Sequence, residues 1–201
     1  MTQHHTPSSA IDSRKARTDA LLARIVDEQL RNHGYAGVTI ERVSDASGVA
    51  KTTIYRRWRS KTEMLFDLMI HRITQEDPLV PAENLKDDVL NLARRAVTLV
   101  ASYPGRDILP GLLADAATDP DLAERIRTTW VTPAREVLKQ IIGTTDLGID
   151  FSELHATLLG VPYTRVHLLG ETDLDVISHD LADHLLVLAR SSEHSPHSSE
   201  K

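Results

Sequence analysis

Closely spaced start and stop signals divide residues 38–63 into short helices. Thr39 is a good N-cap for a helix that Gly48 ends, and Ser60-Lys61-Thr62-Glu63 has the capping-box spacing that begins another helix. One further short helix, at residues 50–57, fits between these signals. The segment therefore predicts a short helix, a turn centred on glycine, and a second short helix that is followed at once by the start of a third.

The residue types around this turn are those that a helix-turn-helix requires. Ser44 is small enough for two helices to cross closely, and Gly48 tolerates the positive φ of the turn. Val43, Val49 and Ile54 supply apolar anchors behind the turn. We therefore interpret residues 38–61 as a helix-turn-helix whose second helix exposes its polar side chains.

Basic charge is concentrated in the same part of the chain. The stretch from Lys51 to Lys61 contains five Lys and Arg residues and no Asp or Glu. Residues 1–62 hold 11 basic against 6 acidic residues, whereas the rest of the chain holds 12 against 23. A basic helix can also be an ordinary solvated surface. The turn glycine, the caps and the segregated charge together favour contact with DNA, whose phosphates attract such a segment.

Composition and periodicity predict an all-α protein of about nine helices. Aromatic residues make up only 4% of the chain, and no alternating strand pattern is present. The chain has no cysteine, which excludes disulfides and thiolate metal sites. The N-terminus lacks the apolar region of a secretory signal, and no apolar run is long enough to span a bilayer. We expect a cytoplasmic protein.

Breakers and caps predict how the helices are organised. We expect a flexible arm at residues 1–12, a helix-turn-helix domain at 13–60, a larger helical domain at 61–190 and a disordered tail at 191–201. The cluster of breakers at 77–81 is the strongest linker signal within this series. Further predicted signals, in chain order, are a helix end at Gly34, another at Pro104-Gly105, a cap at Asp119-Pro120, a kink at Pro133, a loop at 143–148, and caps at 150–153 and 172–175.

The motif order resembles that of a known family of regulators. Gly34-Tyr35, then Val38-Thr39-Ile40, then residues 48–58 and Ser60-Lys61 are similar to the DNA-binding domain of the TetR family of bacterial transcriptional regulators. The match covers about residues 14–65. Leu30, Ser44 and Trp58 depart from the commonest residues of the family, but each keeps the apolar or small character of its position.

This resemblance implies roles for individual side chains at the DNA. Residues 50–57 correspond to the recognition helix, with Lys51, Thr52 and Arg56 as base readers. Thr39, Tyr55 and Lys61 correspond to phosphate contacts. The predicted DNA-binding set is Thr39, Ala50, Lys51, Thr52, Thr53, Tyr55, Arg56, Arg57 and Lys61.

For the rest of the chain the resemblance implies a helical domain that binds a small molecule and forms a homodimer through its last two long helices. Four aromatic or polar residues in apolar helices are candidates for an effector pocket, although each alone is also explained by core packing: Tyr103, Trp130, His155 and Tyr163. The apolar faces of the last two helices predict a dimer interface at Leu158, Val161, Ile177, Leu181, Leu185 and Leu188.

Other chemistry has weak support in the sequence. The pairs His179/Asp183 and Asp180/His184 have helical spacing, but they point in different directions and lack a third ligand, and His194 and His197 have no partners in spacing either. We predict no metal and no cofactor. Because no phosphate loop or nucleophile elbow is present, we expect no enzyme.

The sequence thus predicts a ligand-responsive repressor that binds a palindromic operator as a homodimer and is released by a small molecule. The alternative is a helical small-molecule carrier or small enzyme whose basic head binds another polyanion. A steep inverse dependence of duplex affinity on salt distinguishes the two.

Overall fold

The computed structural model describes the backbone of residues 7–75, 82–142 and 151–191, and the side chains of residues 16–73, 82–140 and 151–188. Every regular element in these ranges is a helix, which agrees with the all-α prediction. The helices are α1 Pro7–Gly37, α2 Ile40–Ser47, α3 Lys51–Tyr55, α4 Lys61–Gln75, α5 Leu85–Ala101, α6 Gly105–Ala116, α7 Pro120–Ile126, α8 Thr132–Ile142, α9 Phe151–Tyr163 and α10 Leu174–Ser191. Since a π-helical turn joins α7 to α8, the described ranges contain nine continuous helices.

The predicted signals around the helix-turn-helix are confirmed. Gly34 has φ 64° and interrupts the helical dihedral angles of α1. The Thr39 side chain caps α2 by accepting a hydrogen bond from the backbone N–H of Arg42 at 3.2 Å. Gly48 ends α2 in the left-handed region with φ 68°. Because glycine has no Cβ, it adopts this conformation without the strain that another residue would carry.

The capping box at Ser60 is present with one difference in its bonding. The Ser60 hydroxyl accepts from the N–H of Glu63 at 3.2 Å, as expected. The Glu63 carboxylate accepts from the N–H of Arg59 at 2.7 Å, one residue before the position that the standard motif uses. Together the two bonds satisfy donors at the start of α4 and fix the angle between α3 and α4.

Pro133 is accommodated by a change of helix type. Asp119 caps α7 by accepting from the N–H groups of Asp121 and Leu122, both at 3.1 Å, as predicted. The π-helical turn Arg127–Val131 then precedes α8, and the N–H of Thr132 bonds to the carbonyl of Arg127. Proline has no N–H to give to the preceding turn. In the π turn the last N–H before Pro133 bonds to a carbonyl five residues back, and the helix continues past the proline to Ile142.

Two hydrophobic clusters divide the molecule into what we call the head, α1–α4, and the body, α5–α10. The first cluster joins α1–α4 to the apolar face of α6, where Ile108 and Leu112 are buried against it. The second cluster lies between α5, α8, α9 and α10. Helix α5 runs through the middle of the body, because α10 and α9 both pack along it.

Some sequence expectations need correction or lie outside the described ranges. The predicted flexible arm at residues 1–12 overlaps α1, which begins at Pro7; proline is well tolerated in a first turn because its missing N–H has no partner there. The cap of α10 predicted at 172–175 is Asp173, whose side chain accepts from the N–H of Val176 at 3.1 Å. The structure does not describe residues 1–6, the predicted linker at 77–81, the loop at 143–148, Asp150 or residues 192–201.

Candidate nucleic-acid interface and internal cavity

The turn between α2 and α3 is held by short local bonds and a buried anchor. The Ser44 hydroxyl donates to the carbonyl of Val49 at 2.8 Å, and the N–H of Gly48 bonds to the carbonyl of Ser44 at 2.9 Å. Ile54 of α3 and Val43 of α2 are fully buried in the first hydrophobic cluster. With one face of α3 fixed in this way, its opposite face is presented to solvent.

Five residues of the predicted DNA-binding set form this exposed face. They are Ala50, Lys51, Thr52, Tyr55 and Arg56. Positions 51, 52, 55 and 56 lie on one side of a helix by their spacing, and Tyr55 keeps 48% of its surface exposed although it is aromatic. Thr53 lies half-buried at the edge of the same face. The structure therefore brings the three predicted base readers and Tyr55 together.

Lys51 is oriented by a neighbour on α2. Its Nζ lies 3.3 Å from Oε1 of Glu41. The pKa of the Glu41 carboxyl is lowered, first by the hydrogen bond from its own backbone N–H and then by the Lys51 ammonium. Both side chains are about half exposed, so this ion pair directs Lys51 without removing it from solvent.

Arg57 and Lys61 have contacts within the protein that their predicted roles did not include. The Arg57 side chain is only 18% exposed, forms an ion pair with Asp19 of α1 and lies 6.0 Å from the centre of the Trp58 ring. Nζ of Lys61 donates to the carbonyl oxygens of Tyr35 and Ala36 at 3.1 and 3.4 Å. It thereby satisfies carbonyls at the end of α1, a favourable position for a cation. Both side chains hold α1 against the DNA-facing helices.

The head is joined to the body by hydrogen bonds that no sequence pattern predicted. The Tyr35 hydroxyl donates to Oδ2 of Asp115 on α6 at 2.6 Å, and the Thr62 hydroxyl donates to the same oxygen. Both hydrogen bonds lower the pKa of Asp115, and the bond from Thr62 has the larger effect. A Cβ on Gly111 would lie 2.2 Å from Cε1 of Tyr35, so only glycine allows the ring to pack there. No local pattern indicates a contact between residues 80 positions apart.

A second junction lies where α3 ends. The indole N–H of Trp58 donates to Oδ2 of Asp67 at 2.7 Å. Nη2 of Arg125 on α7 reaches Oδ1 of the same carboxylate at 3.0 Å. Asp67 thus connects the end of the DNA-facing helix to the body.

A third junction is centred on Asp27 of α1. The Tyr103 hydroxyl donates to Oδ1 of Asp27 at 2.7 Å, and Nη2 of Arg72 on α4 lies 3.1 Å from the same oxygen. Nε of Arg31 donates to Oδ2 at 3.0 Å. Burial acts to raise the pKa of Asp27, but these partners outweigh it, so the pKa is lowered and the carboxylate is charged at neutral pH. Helices α1 and α4 and the loop between α5 and α6 thus meet at this single carboxylate.

Tyr103 also lines an open cavity of about 700 Å³ whose wall is formed mainly by residues of α4, α5, α8 and α9. Of the four predicted pocket residues, the structure places Tyr103, Trp130 and His155 in its wall. Tyr163 is not in the wall; its ring packs against that of His167 at a tilt of 40°, with the ring centres 4.7 Å apart. The π-helical turn Arg127–Val131 carries Trp130, whose ring lies edge-on to His155 at 6.4 Å.

His155 is the most buried polar residue of the cavity wall among the described residues. It is 6% exposed, and its Nδ1 has no hydrogen-bond partner in the part of the chain that the structure describes. Burial, and to a smaller extent the Arg135 guanidinium, lower its pKa. The imidazole is therefore neutral at pH 7 and contributes hydrogen-bonding groups rather than charge.

The predicted dimer-interface residues are largely used inside the chain. Leu158, Ile177, Leu181 and Leu185 are buried in the second hydrophobic cluster, and Val161 and Leu188 pack at its edge. These four buried side chains are not available to a partner, because α5 covers the apolar face that sequence periodicity identified. The faces of the last two long helices that solvent does reach are different: Ser152, Glu153, Ala156 and Gly160 on α9, and Val176, Asp180, Asp183 and Val187 on α10.

The histidine and aspartate pairs of α10 have a simpler explanation than metal binding. Asp180 accepts from Nη1 of Arg165 at 2.9 Å, and His179, Asp183 and His184 are exposed. Nowhere in the described ranges do three His, Asp or Glu side chains converge as metal ligands would. None of the described helices combines the length and apolar character that a bilayer crossing requires. His194 and His197 lie outside the described residues.

These features define a class of protein: a helical protein with a basic helix-turn-helix head on an acidic body that contains an open cavity. Family profiles agree with it. The profile of the bacterial regulatory proteins of the tetR family matches residues 27–68, and that of the tetracyclin repressor-like C-terminal domain matches residues 79–186. The second match alone covers more than half of the chain. The chain belongs to the TetR family and is a DNA-binding transcriptional regulator.

Individual relatives are similar to this chain over most of their length. The DNA-binding transcriptional repressor TetR of Mycobacteroides abscessus is 27% identical over 184 residues, which cover 88% of this chain and 95% of that protein. A TetR family transcription regulator of known crystal structure is 28% identical, with a TM-score of 0.68 over 85% of this chain and 97% of that one. FadR from Bacillus subtilis in complex with stearoyl-CoA, 17% identical with a TM-score of 0.55 over 83% of this chain and 96% of its own, shares the fold.

Proposed function

We propose that this chain is a repressor that binds a palindromic operator as a homodimer and is released when a small molecule enters the cavity. The observation that supports this most directly is the junction at Asp27. It joins Tyr103 of the cavity wall to α1 and α4 of the head. A ligand that moves the wall therefore acts on the elements that carry α3.

At the DNA, we propose that Lys51, Thr52 and Arg56 contact base edges in the major groove. Their side chains share the exposed face of α3, and lysine and arginine match the acceptors of guanine. Tyr55 and Thr39 contact phosphates. The Thr39 hydroxyl accepts from Arg42 as a cap, so its own hydrogen is available to a phosphate oxygen. Arg57 and Lys61 support the reading helix through their contacts with α1.

For the dimer, we propose that the exposed faces of α9 and α10 pair with their copies. Ala156 and Gly160 on α9 are small and exposed, which allows a partner helix to approach closely. Val176 and Val187 stand at either end of the exposed face of α10. Such a dimer must place its two copies of α3 about 34–36 Å apart to enter successive major grooves. A ligand that favours a different spacing releases the DNA.

The division of the chain at residues 60 and 61 is also part of this proposal. Residues 13–60 carry the DNA contacts, and residues 61–190 carry the cavity and the dimer faces. Helix α4 belongs to the second segment by sequence but packs in the first hydrophobic cluster, where Phe66 and Met69 are buried. The same helix lines the cavity with Met69 and Ile73. It is the element through which the two segments communicate.

Replacing the two neighbouring arginines that follow α3 tests the DNA assignment. We expect Arg56→Ala to cost about 1–3 kcal/mol on the preferred site and to relax base preference at one position in each half-site. Arg57→Ala should weaken binding to all sequences alike, because it loosens α3 without removing a base contact. Selection of bound duplexes from random DNA, followed by titration of the selected site, measures both effects.

Arg94→Ala is the matched control, since Arg94 is exposed on α5 in the body and should leave affinity and preference unchanged. An Arg56→Ala variant with the base preference of the parent protein would contradict its role as a reader.

A charged residue introduced on the exposed face of α10 tests whether this face forms the dimer interface. Val187 is 59% exposed, so Val187→Arg should leave the protomer folded but bring two like charges together across a two-fold interface. We expect monomers in sedimentation experiments and loss of operator binding. Leu113→Arg, at an exposed apolar residue of α6, is the control and should stay dimeric. A dimeric Val187→Arg protein of parental affinity would show that this end of α10 lies outside the interface.

A further inference from the structure

Both charged residues that the structure describes in the cavity wall are arginines. Its described lining includes two guanidinium groups, Arg72 and Arg95, and no aspartate or glutamate. The remaining polar groups are neutral: Thr98, Ser102, Tyr103, Thr129, Gln140 and His155. A cation that entered this space would lose its hydration without gaining a carboxylate partner, a strongly unfavourable exchange in an apolar environment.

Both guanidinium groups lie at the last turns of α4. Arg72 belongs to α4, and Nη2 of Arg95 reaches across from α5 to donate to the carbonyl of Ile73 at 3.3 Å. Arg72 lies 5.6 Å from the centre of the Tyr103 ring and 3.1 Å from Asp27. This end of the cavity therefore carries two guanidinium groups, of which Arg72 is paired with Asp27, and both can donate hydrogen bonds.

A large part of the remaining wall is apolar. Leu138, Leu158 and Leu159 line it, together with Val137 and Pro133. Trp130 and the neutral ring of His155 complete this part of the surface. A volume of about 700 Å³ is within the range of small-molecule sites.

From this arrangement we propose that the effector is an apolar molecule that carries one carboxylate, bound with its carboxylate at Arg95 and Arg72 and its apolar body against Trp130, Leu138 and Leu158. Arginine pairs with carboxylates through two parallel hydrogen bonds, and such charge-assisted bonds are the strong ones. The inference rests on the proposed use of the cavity as an effector site and names the class of ligand that this site takes.

The same geometry supplies a route from the ligand to the DNA. The ligand carboxylate competes with Asp27 for Arg72 and with the Ile73 carbonyl for Arg95. Both contacts hold the end of α4 in place, one against α1 and the other against α5. When the two arginines exchange these contacts for the ligand carboxylate, a different position of α4 is favoured. The two copies of α3 in the dimer then adopt a different spacing.

Three probes with the same alkyl chain test the ligand class on the full-length protein: decanoate, 1-decanol and decylammonium. We expect calorimetric titration to give about tenfold or more tighter binding of decanoate than of decanol, and the weakest binding for decylammonium. Arg95→Gln should reduce decanoate affinity to about that of decanol and leave decanol affinity unchanged. Arg95→Lys should keep part of the preference, because it keeps the charge.

Arg94→Gln is the matched control, since this neighbouring arginine is exposed and does not line the cavity. Thermal unfolding of each variant shows that it is folded. Any one of three results would overturn the proposal. Decanol or decylammonium could bind as tightly as decanoate, none of the probes could bind, or Arg95→Gln could keep the preference of the parent protein for decanoate. Operator titration with and without decanoate gives a separate readout: tight decanoate binding that leaves DNA affinity unchanged would contradict the effector function while the ligand class stands.

Discussion

Leu181→Ala is expected to lower the free energy of unfolding by about 2–5 kcal/mol, because it removes buried atoms and leaves a cavity behind. Leu181 is 1% exposed in the second hydrophobic cluster, where α10 packs on α5 and α9. Well-packed elements on both sides of the side chain limit collapse into the vacated space. Urea denaturation at one protomer concentration, low enough for the dimer to dissociate, measures the change without a contribution from the dimer interface.

Val187→Ala is the control on the same helix. Val187 is largely exposed, so this substitution should change the stability of the protomer by no more than about 0.5 kcal/mol. If Leu181→Ala were as mild as Val187→Ala, the apolar face of α10 would not be packed inside the chain. The pair therefore separates the internal face of this helix from the face that we assign to the dimer.

Operator affinity is expected to fall by about 10³-fold between 50 and 200 mM salt. Each described head exposes Arg42, Lys51, Arg56 and Arg59, so a dimer brings eight cations to the DNA surface, and the proposed base readers among them also displace counterions there. Each contact releases condensed counterions, and added salt opposes that release. Fluorescence anisotropy of a labelled duplex over a salt series gives the slope.

Arg59→Ala tests how much one cation of the head contributes to this salt dependence, because the Arg59 side chain is 80% exposed. It should reduce the magnitude of the slope by about one for each phosphate that the arginine no longer neutralises. Arg94→Ala, in the body, should leave the slope unchanged. A duplex affinity that does not respond to salt would contradict the phosphate contacts and favour binding of some other partner by the head.

The sequence alone determined the helical class, the position of the helix-turn-helix and most of its caps. These features depend on short-range physics. Thr39 caps α2 through an N–H three residues away, and Gly48 ends α2 through its own backbone freedom. The exposed face of α3 also follows from local spacing, because Ile54 fixes which side is buried. Motif resemblance then supplied the expected roles of these side chains.

Only the tertiary structure decided which partner each side chain meets. Periodicity showed that α10 has an apolar face, but α5 covers that face, so Leu181 became a core residue rather than an interface residue. Arg57 and Lys61 lie in the basic segment, yet helix packing places Asp19 and the end of α1 beside them. A local pattern indicates what a side chain can contact, whereas the packing of distant helices selects the contact.

The cavity also shows which features the sequence predicts and which depend on tertiary packing. Its aromatic and polar residues could be proposed from their apolar surroundings, but the structure placed Tyr103, Trp130 and His155 in the wall and Tyr163 outside it. Arg72 and Arg95 carry the charge of the wall, and neither has a sequence signal that distinguishes it from a surface arginine. Charge within a cavity arises from the relative placement of α4 and α5, which long-range packing alone determines.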